Sequence, residues 1–111
     1  MEPNFLGKIA APSAGVPVQL ISDNSVRACK IVFVTIPGLS GNIYIGGANL
    51  NTTTLAGVLI KFNPPSTVGL ADSFTIESEQ GSNSLLVSDY WLAASVPGEG
   101  ALVTYFQTQI R

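Results

Sequence analysis

The sequence predicts an all-β, single-domain protein, a jelly-roll-like β-sandwich with about eight short strands. Short apolar runs rich in Val, Ile, Thr and aromatic residues indicate strands, and turn-forming residues separate these runs roughly every ten residues. No segment keeps the i, i+3, i+4, i+7 apolar spacing of an amphipathic helix beyond a turn or two. A closed barrel is the alternative architecture.

Turn-forming residues set the predicted strand boundaries. Gly supplies positive φ, Pro fixes φ, and Asn or Asp hydrogen-bonds its own backbone. The expected turns are Ala11–Gly15, Ser22–Ser25, Pro37–Gly41, Asn63–Ser66, Gln80–Ser84 and Pro97–Gly100. The expected strands are, in chain order, Phe5–Ala10, Val16–Ile21, Ala28–Ile36, Asn42–Gly46, Ala56–Phe62, Ser73–Glu77, Asp89–Ala94 and Ala101–Gln109.

The chain length of 111 residues suits one domain with one core. Residues 1–40 are predicted to contain an N-terminal arm and the first strands, and residues 41–111 the remainder of the same sandwich. Pro3, Pro12, Gly15 and Pro17 interrupt the start of the chain. This start is either an extended arm laid over a neighbouring protein or a set of ordinary edge strands.

The predicted strands differ in how their apolar residues are distributed. Asn42–Gly46 and Ser73–Glu77 alternate, which is typical of a half-buried strand with one wet face. Ala28–Ile36 and Ala101–Gln109 are apolar on both faces. A two-layer sandwich covers only one face of each strand, so the second cover comes from a loop such as Leu50–Leu55, from a chain terminus, or from another protein.

These faces divide the apolar residues into a predicted core and a predicted contact surface. The core is expected to contain Ile31, Phe33, Ile43, Ile45, Phe74, Ile76, Leu92, Leu102 and Phe106. The residues left without an inner role are expected to contact a partner protein: Val32, Val34, Val103 and Tyr105, with Pro3, Phe5, Leu6, Val16 and Val18 of the N-terminal arm.

Charge and hydropathy narrow the class of partner. Charged residues make up 11% of the chain, less than half of the usual fraction of about 25%. The formal net charge is −2 and the five basic residues are scattered, so no nucleic-acid partner is expected. No apolar stretch approaches a membrane span, and the start of the chain lacks the features of a signal peptide, so we expect a protein made in the cytoplasm. A mean hydropathy of +0.38 is explained either by an uncharged polar surface or by burial in a permanent assembly.

The residues needed for most catalytic and metal sites are missing. The sequence contains no histidine and one cysteine, Cys29, which lies in an apolar run typical of a buried, inert thiol. The carboxylates of Asp72, Glu77, Glu79 and Asp89 fit solvated turn and strand-edge positions better than the paired arrangement of a glycosidase. No phosphate-binding glycine motif is present. We therefore expect neither an enzyme nor a cofactor or metal.

A carbohydrate-binding sandwich is the main alternative. Such modules stack sugars on exposed aromatic rings, and the available rings are Tyr44, Tyr90, Trp91 and Tyr105. Tyr90 and Trp91 are neighbours on a strand and point to opposite faces, so one of them faces outward.

Three segments are informative beyond composition. Gly41–Gly57 contains an apolar strand that ends in Ile-Gly-Gly and a Thr-rich turn, Leu70–Ile76 places Asp-Ser before a strand, and Glu99–Phe106 forms a closing Gly-Ala-Leu-Val-Thr-Tyr-Phe strand. Together they resemble small all-β virion proteins of tailed bacteriophages. The resemblance covers residues 41–106 and includes no catalytic fingerprint.

The resemblance implies a capsid decoration, cement or staple protein, built on a jelly-roll-like sandwich and present in many copies. The expected location is the capsid exterior of a virion, after synthesis in the host cytoplasm. The expected partners are the major capsid protein, other copies of the chain, or both, with no nucleic acid and no membrane. A tail or baseplate component is an alternative within the same class.

Overall fold

Ten β-strands and a short 3-10 helix lie among residues 2–36, 40–62, 73–79 and 82–108, which are the residues described by this computed structural model. The strands are β1 Glu2–Ala10, β2 Val18–Gln19, β3 Arg27–Ala28, β4 Lys30–Thr35, β5 Ile43–Gly46, β6 Val58–Phe62, β7 Ser73–Glu77, β8 Leu85–Leu86, β9 Trp91–Ala94 and β10 Gly100–Gln107, with the 3-10 helix at Val87–Asp89 between β8 and β9. Several of the predicted features lie outside the described residues. They are the expected turn at 63–66, parts of the expected turns at 37–41 and 80–84, residues 70–72 of the phage-like segments with the carboxylate of Asp72, and Gln109.

Eight of the strands form two antiparallel four-stranded sheets. The first sheet has the order β1-β10-β4-β7 and the second sheet has the order β2-β9-β5-β6. The other two strands, β3 and β8, pair with each other. The all-β sandwich is thereby confirmed, and a strand overlaps each of the eight predicted segments. The pair β3 and β8 was not predicted as such, because two residues are too short to show an alternating pattern.

The core lies between the two sheets. Ile31 and Phe33 of β4 pack with Ile43 and Ile45 of β5 and with Leu92 of β9, and all five are fully buried as predicted. Phe74 and Ile76 of β7 are half-buried and pack against this cluster, and the Phe74 ring is stacked on Phe33 at 6.3 Å between ring centroids. The inward face of β7 therefore also agrees with the sequence prediction.

The face of β10 that points inward differs from the prediction. Val103 is 1% exposed and lies in the core, with Tyr105 packed against it. Leu102 is 46% exposed, and Phe106 lies on the same outer side of the strand. The assignment of Leu102 and Phe106 to the core, and of Val103 to a partner contact, was wrong. A strand that is apolar on both faces does not indicate which face is inside.

The N-terminal residues form an edge strand of the first sheet. β1 pairs with β10 from Glu2 to Ala10, so the edge-strand alternative, and not the extended arm, describes these residues. A β-bulge between Phe5 and Gly7 interrupts the register, and Gly7 has a φ of 76°, as a glycine in a bulge allows. Because of the extra residue, Leu6 and Ile9 both pack inward although they are three positions apart.

The strand β5 is buried on both faces, contrary to the single wet face expected for it. Its outward residue Tyr44 is 6% exposed because Leu50 packs on it together with Ala93. Leu50 belongs to residues 47–57, which we call the cover loop. A loop in the region anticipated from the sequence therefore covers a sheet. It covers the second sheet, whereas β4 and β10, the strands predicted to need a second cover, belong to the first sheet. No helix among the described residues has the length and apolar character needed to cross a membrane.

Candidate protein-binding face

The outer face of the first sheet is the candidate binding surface, and we call it the open face. Its members are the residues that alternate with the buried positions of β4, β7 and β10, together with their partners on β1. They are Pro3, Phe5, Lys8, Lys30, Val32, Val34, Ser73, Thr75, Glu77, Leu102, Thr104 and Phe106.

The strand register arranges the open face as three rows of four residues. The first row runs Pro3, Phe106, Lys30, Glu77; the second runs Phe5, Thr104, Val32, Thr75; the third runs Lys8, Leu102, Val34, Ser73. The bulge in β1 brings Phe5 and Lys8 to this same face although they are three residues apart. The result is an apolar centre across β10 and β4 with charged residues only in the outer rows.

The open face carries large apolar side chains in contact with solvent. Phe5 is 79% exposed and Leu102 is 46% exposed, so no described segment covers them. Val32, Val34 and Phe106 are half-buried beside them. Contiguous apolar surface of this kind marks an interaction site more often than single scattered residues do.

The second sheet shows what a covered outer face looks like in the same molecule. The cover loop is closed at its base because the Gly47 N–H donates to the Gly57 carbonyl at 3.0 Å. Asn51 holds the tip, since its side-chain oxygen accepts the backbone N–H groups of Thr53 and Thr54 at 2.8 and 2.9 Å. Compact loops whose ends meet pack by their own side chains, and here Leu50 covers the sheet. The first sheet has no equivalent among the described residues.

Charged groups on the open face are few and are close to neighbours that stabilise them. The Lys30 ammonium lies 4.7 Å from the centre of the Phe106 ring, within cation–π range. Lys30 also pairs in register with Glu77 on β7. Lys8 at the opposite corner lies near enough to Glu99 to lower the pKa of that carboxyl electrostatically. The face therefore presents two partly compensated lysines around an apolar centre.

The residues expected to contact a partner are divided by the structure. Val32 and Val34 lie on the open face with Pro3 and Phe5, and Val16 is 52% exposed in the segment before β2. Leu6, Val18 and Tyr105 are half-buried and pack against the core. Together with the buried Val103, these three are directed toward the interior. Leu102 and Phe106 lie on the open face, although the sequence analysis placed them in the core. Phe106 pairs with the charged residue Lys30 on β4, and this pairing identifies the outer side of β10.

The aromatic residues considered for sugar binding do not form a common platform. Tyr90 packs against the core, where burial and then the charge of Asp89 raise the pKa of its phenol. Trp91 is the outward residue of the pair, half-buried beside Gln19 and Gly46 on the second sheet. The side-chain amide of Gln19 is already used, because it donates to the Ser88 carbonyl at 2.8 Å. No pocket is present around the described residues.

Groups with chemical reactivity are isolated from one another in the described part of the chain. Cys29 is buried and its Sγ lies 3.2 Å from the Phe106 carbonyl, as a weak hydrogen-bond donor. No group of three or more Cys, Asp or Glu residues lies together in a way that could hold a metal ion within residues 2–36, 40–62, 73–79 and 82–108.

Comparisons with known proteins do not add a family to this description. A scan against protein-family models and searches of curated proteins and of solved structures found no match to the chain.

Proposed function

We propose that the chain is a non-enzymatic virion structural protein that binds neighbouring subunits on a capsid surface and stabilises the shell. The observation that carries the proposal is the open face: Phe5 and Leu102 remain exposed on it, while on the second sheet the cover loop buries the outward residue Tyr44. An apolar sheet face with large side chains in contact with solvent is a surface suited to permanent association.

The strand order supports the class of fold named in this proposal. The first four strands of the two sheets pair with the last four in reverse order, as β1 with β10, β2 with β9, β4 with β7 and β5 with β6. This doubled ribbon is wrapped so that β4 also pairs with β10, and β5 with β9. We infer from it a jelly roll, an architecture found in viral capsid proteins and in lectins.

The energy available from the open face suits a component present in many copies. Complete burial of a side chain such as Phe5 or Leu102 contributes about 1.5–3 kcal/mol. Association and side-chain ordering offset much of that gain at a single site. Repetition over a symmetric shell lets modest contacts sum to a large stabilisation of the particle.

Shells that lack the chain provide the direct test. We expect them to break at a lower temperature than complete shells, and we expect added protein to restore the difference, because binding to the intact shell alone stabilises it by mass action. Leu102→Asp should abolish the restoration, since it places a charge in the desolvated contact. Leu59→Asp is the matched control: Leu59 is 57% exposed on β6, outside the open face, and its variant should restore the shell fully.

The contrary outcome is a sugar-binding activity. If a glycan array binds the protein, Trp91→Ala removes that binding, and neither Leu102→Asp nor the parent protein affects shell stability, the structural role is wrong. Trp91 is the residue to replace in this sugar-binding test because it is the outward-facing aromatic of β9.

A further inference from the structure

We infer that the outer edge of β7 accepts an extended segment of a partner protein as a fifth strand of the first sheet. The identity of that partner, a shell subunit, rests on the proposed function, and the edge adds a second way of holding it besides the open face. β7 is paired with β4 on one side, and no described strand lies on its other side, which we call the free edge.

The backbone of β7 presents hydrogen-bonding groups to the free edge at every second residue. The Ser78 N–H, directly after the strand, donates to the Cys29 carbonyl at 2.9 Å on the β4 side. Because successive backbone groups of a strand point to alternate sides, those of Ser73, Thr75 and Glu77 point away from β4. These groups have no backbone partner among the described residues. A row of donors and acceptors about 6.8 Å apart is matched by another extended backbone.

The other three edges of the two four-stranded sheets carry features that block strand addition. β1 contains Pro3, Lys8 and the bulge between Phe5 and Gly7. β2 has two residues, and β6 has Lys61 and a register shift in its pairing with β5. β7 pairs with β4 over five residues without a shift, and it contains no proline and no basic residue. Prolines, bulges, lysines and short strands are the usual protection of sheet edges, so β7 is the unprotected edge.

The inward side chains of β7 indicate the kind of segment that fits beside it. Phe74 and Ile76 pack against the core, and the Phe74 ring is stacked on the fully buried Phe33, yet both residues are only half-buried. An added strand would extend the sheet past these two side chains, and apolar residues at its alternate positions would pack beside them. The segment accepted at the free edge is therefore apolar on its inward face.

Charge distinguishes a partner segment from a second copy of β7. Glu77 ends the strand and Glu79 follows it, and both side chains are exposed. Lys30 of β4 is the neighbour of Glu77 on one side, and the free edge is the other side. A second β7 would bring no basic residue to these carboxylates, whereas a segment with a lysine or arginine opposite Glu77 gains a cross-strand ion pair. The occupant is thus a segment of another protein that is apolar on one face and basic beside Glu77.

A short synthetic peptide of alternating valine and threonine, with a lysine at each end, tests the free edge. In NMR spectra of the isotopically labelled chain, millimolar peptide should shift the amide signals of Ser73, Thr75 and Glu77 and slow their exchange with solvent, while the amides of β1 stay unchanged. A peptide with the sequence of β7 should bind more weakly, by about threefold or more. Tighter binding of the β7 peptide would assign the edge to a second copy. Absence of shifts in β7 with either peptide also overturns the inference.

Two substitutions in β7 test the backbone and the charge separately. Thr75→Pro removes the central outward N–H without removing a bond to β4, a position at which edge strands tolerate proline, and it should abolish peptide binding. Thr75→Val keeps the N–H and should bind like the parent. Glu77→Lys leaves the backbone intact; it should weaken binding of the lysine peptide about threefold or more and strengthen binding of the same peptide with a glutamate at each end. Unchanged binding by both Thr75→Pro and Glu77→Lys overturns the inference.

Failure of this inference can be told apart from failure of the proposed function. Thr75→Pro should keep the parent's thermal melting and should fail to restore shells, whereas Thr75→Val should restore them. If Thr75→Pro restores shells as well as the parent does, while Leu102→Asp does not, the capsid role stands and the free edge has no part in it. If the lysine peptide binds at β7 as described but the parent leaves shell stability unchanged, the free edge stands as a strand acceptor and the capsid role is wrong.

Discussion

Glu99 links two turns through its carboxylate. One carboxylate oxygen accepts hydrogen bonds from the backbone N–H and the hydroxyl of Ser40, at 2.9 and 3.1 Å, and the other accepts the Gly41 N–H at 2.9 Å. Partial burial alone would raise the pKa of Glu99, but these hydrogen bonds and the charge of Lys8 outweigh it, and the pKa lies below the ordinary value of 4.5. The ionised carboxylate is therefore the form that holds residues 40–41 in place.

The depressed pKa of Glu99 gives the folded state a pH dependence with a defined sign. Its contribution to stability is fully present above the ordinary carboxyl pKa and is lost as the pH falls through the lower pKa of the folded state. Glu99→Gln should lower the free energy of unfolding at neutral pH and reduce its decrease in acid, as measured by urea unfolding at a series of pH values. Glu79→Gln removes an exposed carboxylate outside this contact and should leave the profile of the parent unchanged. An equal pH profile for Glu99→Gln and the parent would show that the contact contributes nothing in solution.

At the scale of elements, the cover loop depends on the absence of a side chain at Gly46. A Cβ at Gly46 would collide with the carbonyl of Gly57 and would lie 3.0 Å from the Cδ1 of Leu50. The first obstacle is backbone, which cannot move aside without displacing the base of the loop. Tyr44 lies under that loop and would lose its cover.

Gly46→Ala should therefore lower the free energy of unfolding by about 1–3 kcal/mol, the usual cost of overpacking. It should also increase the solvent exposure of Tyr44, which tyrosine fluorescence quenching can follow against a Tyr44→Phe reference. Gly47→Ala is the matched control, because the nearest atom to its Cβ is the Asn49 Oδ1 at an ordinary 3.5 Å. Two variants of equal stability would mean that the loop adjusts to the added methyl group.

The positions of the strands could be predicted from the sequence. Which face of each strand points inward, and which residues the cover loop buries, could be predicted only in part. In β4 the single charge of Lys30 identifies the outer face, so Ile31 and Phe33 could be assigned to the core. β10 has no charged residue, and its inward face follows from pairing with β4, which is a long-range contact. The burial of Tyr44 likewise depends on a loop that folds back over the sheet, and local alternation carries no information about that.

At the scale of the whole molecule, the two faces of the first sheet should differ in how much they contribute to stability. Phe33 is fully buried between the sheets, while Phe106 lies half-buried on the open face. Phe33→Ala should cost about 3–5 kcal/mol because it leaves a cavity in the core. Phe106→Ala should cost about 1 kcal/mol in the monomer, since solvent fills the vacated space and only the contact with Lys30 and some apolar burial are lost.

Thermal or urea unfolding of the two variants at low protein concentration measures this difference. Low concentration is needed so that association through the open face does not add to the stability of the parent. Similar losses for Phe33→Ala and Phe106→Ala would place Phe106 in the interior and would contradict the open face as described.

The pairing of β1 with β10 has a consequence for how the chain can be rebuilt. Glu2 lies directly beside Gln107, so the beginning and the end of the described fold are neighbours at one edge of the first sheet. A short flexible linker between the two ends, with new ends opened in the exposed turn Asp23–Ser25, would give a circular permutant that keeps every strand in its sheet. In that permutant the linker joins β1 to β10, and a peptide fused to the new ends would be displayed from the turn between β2 and β3.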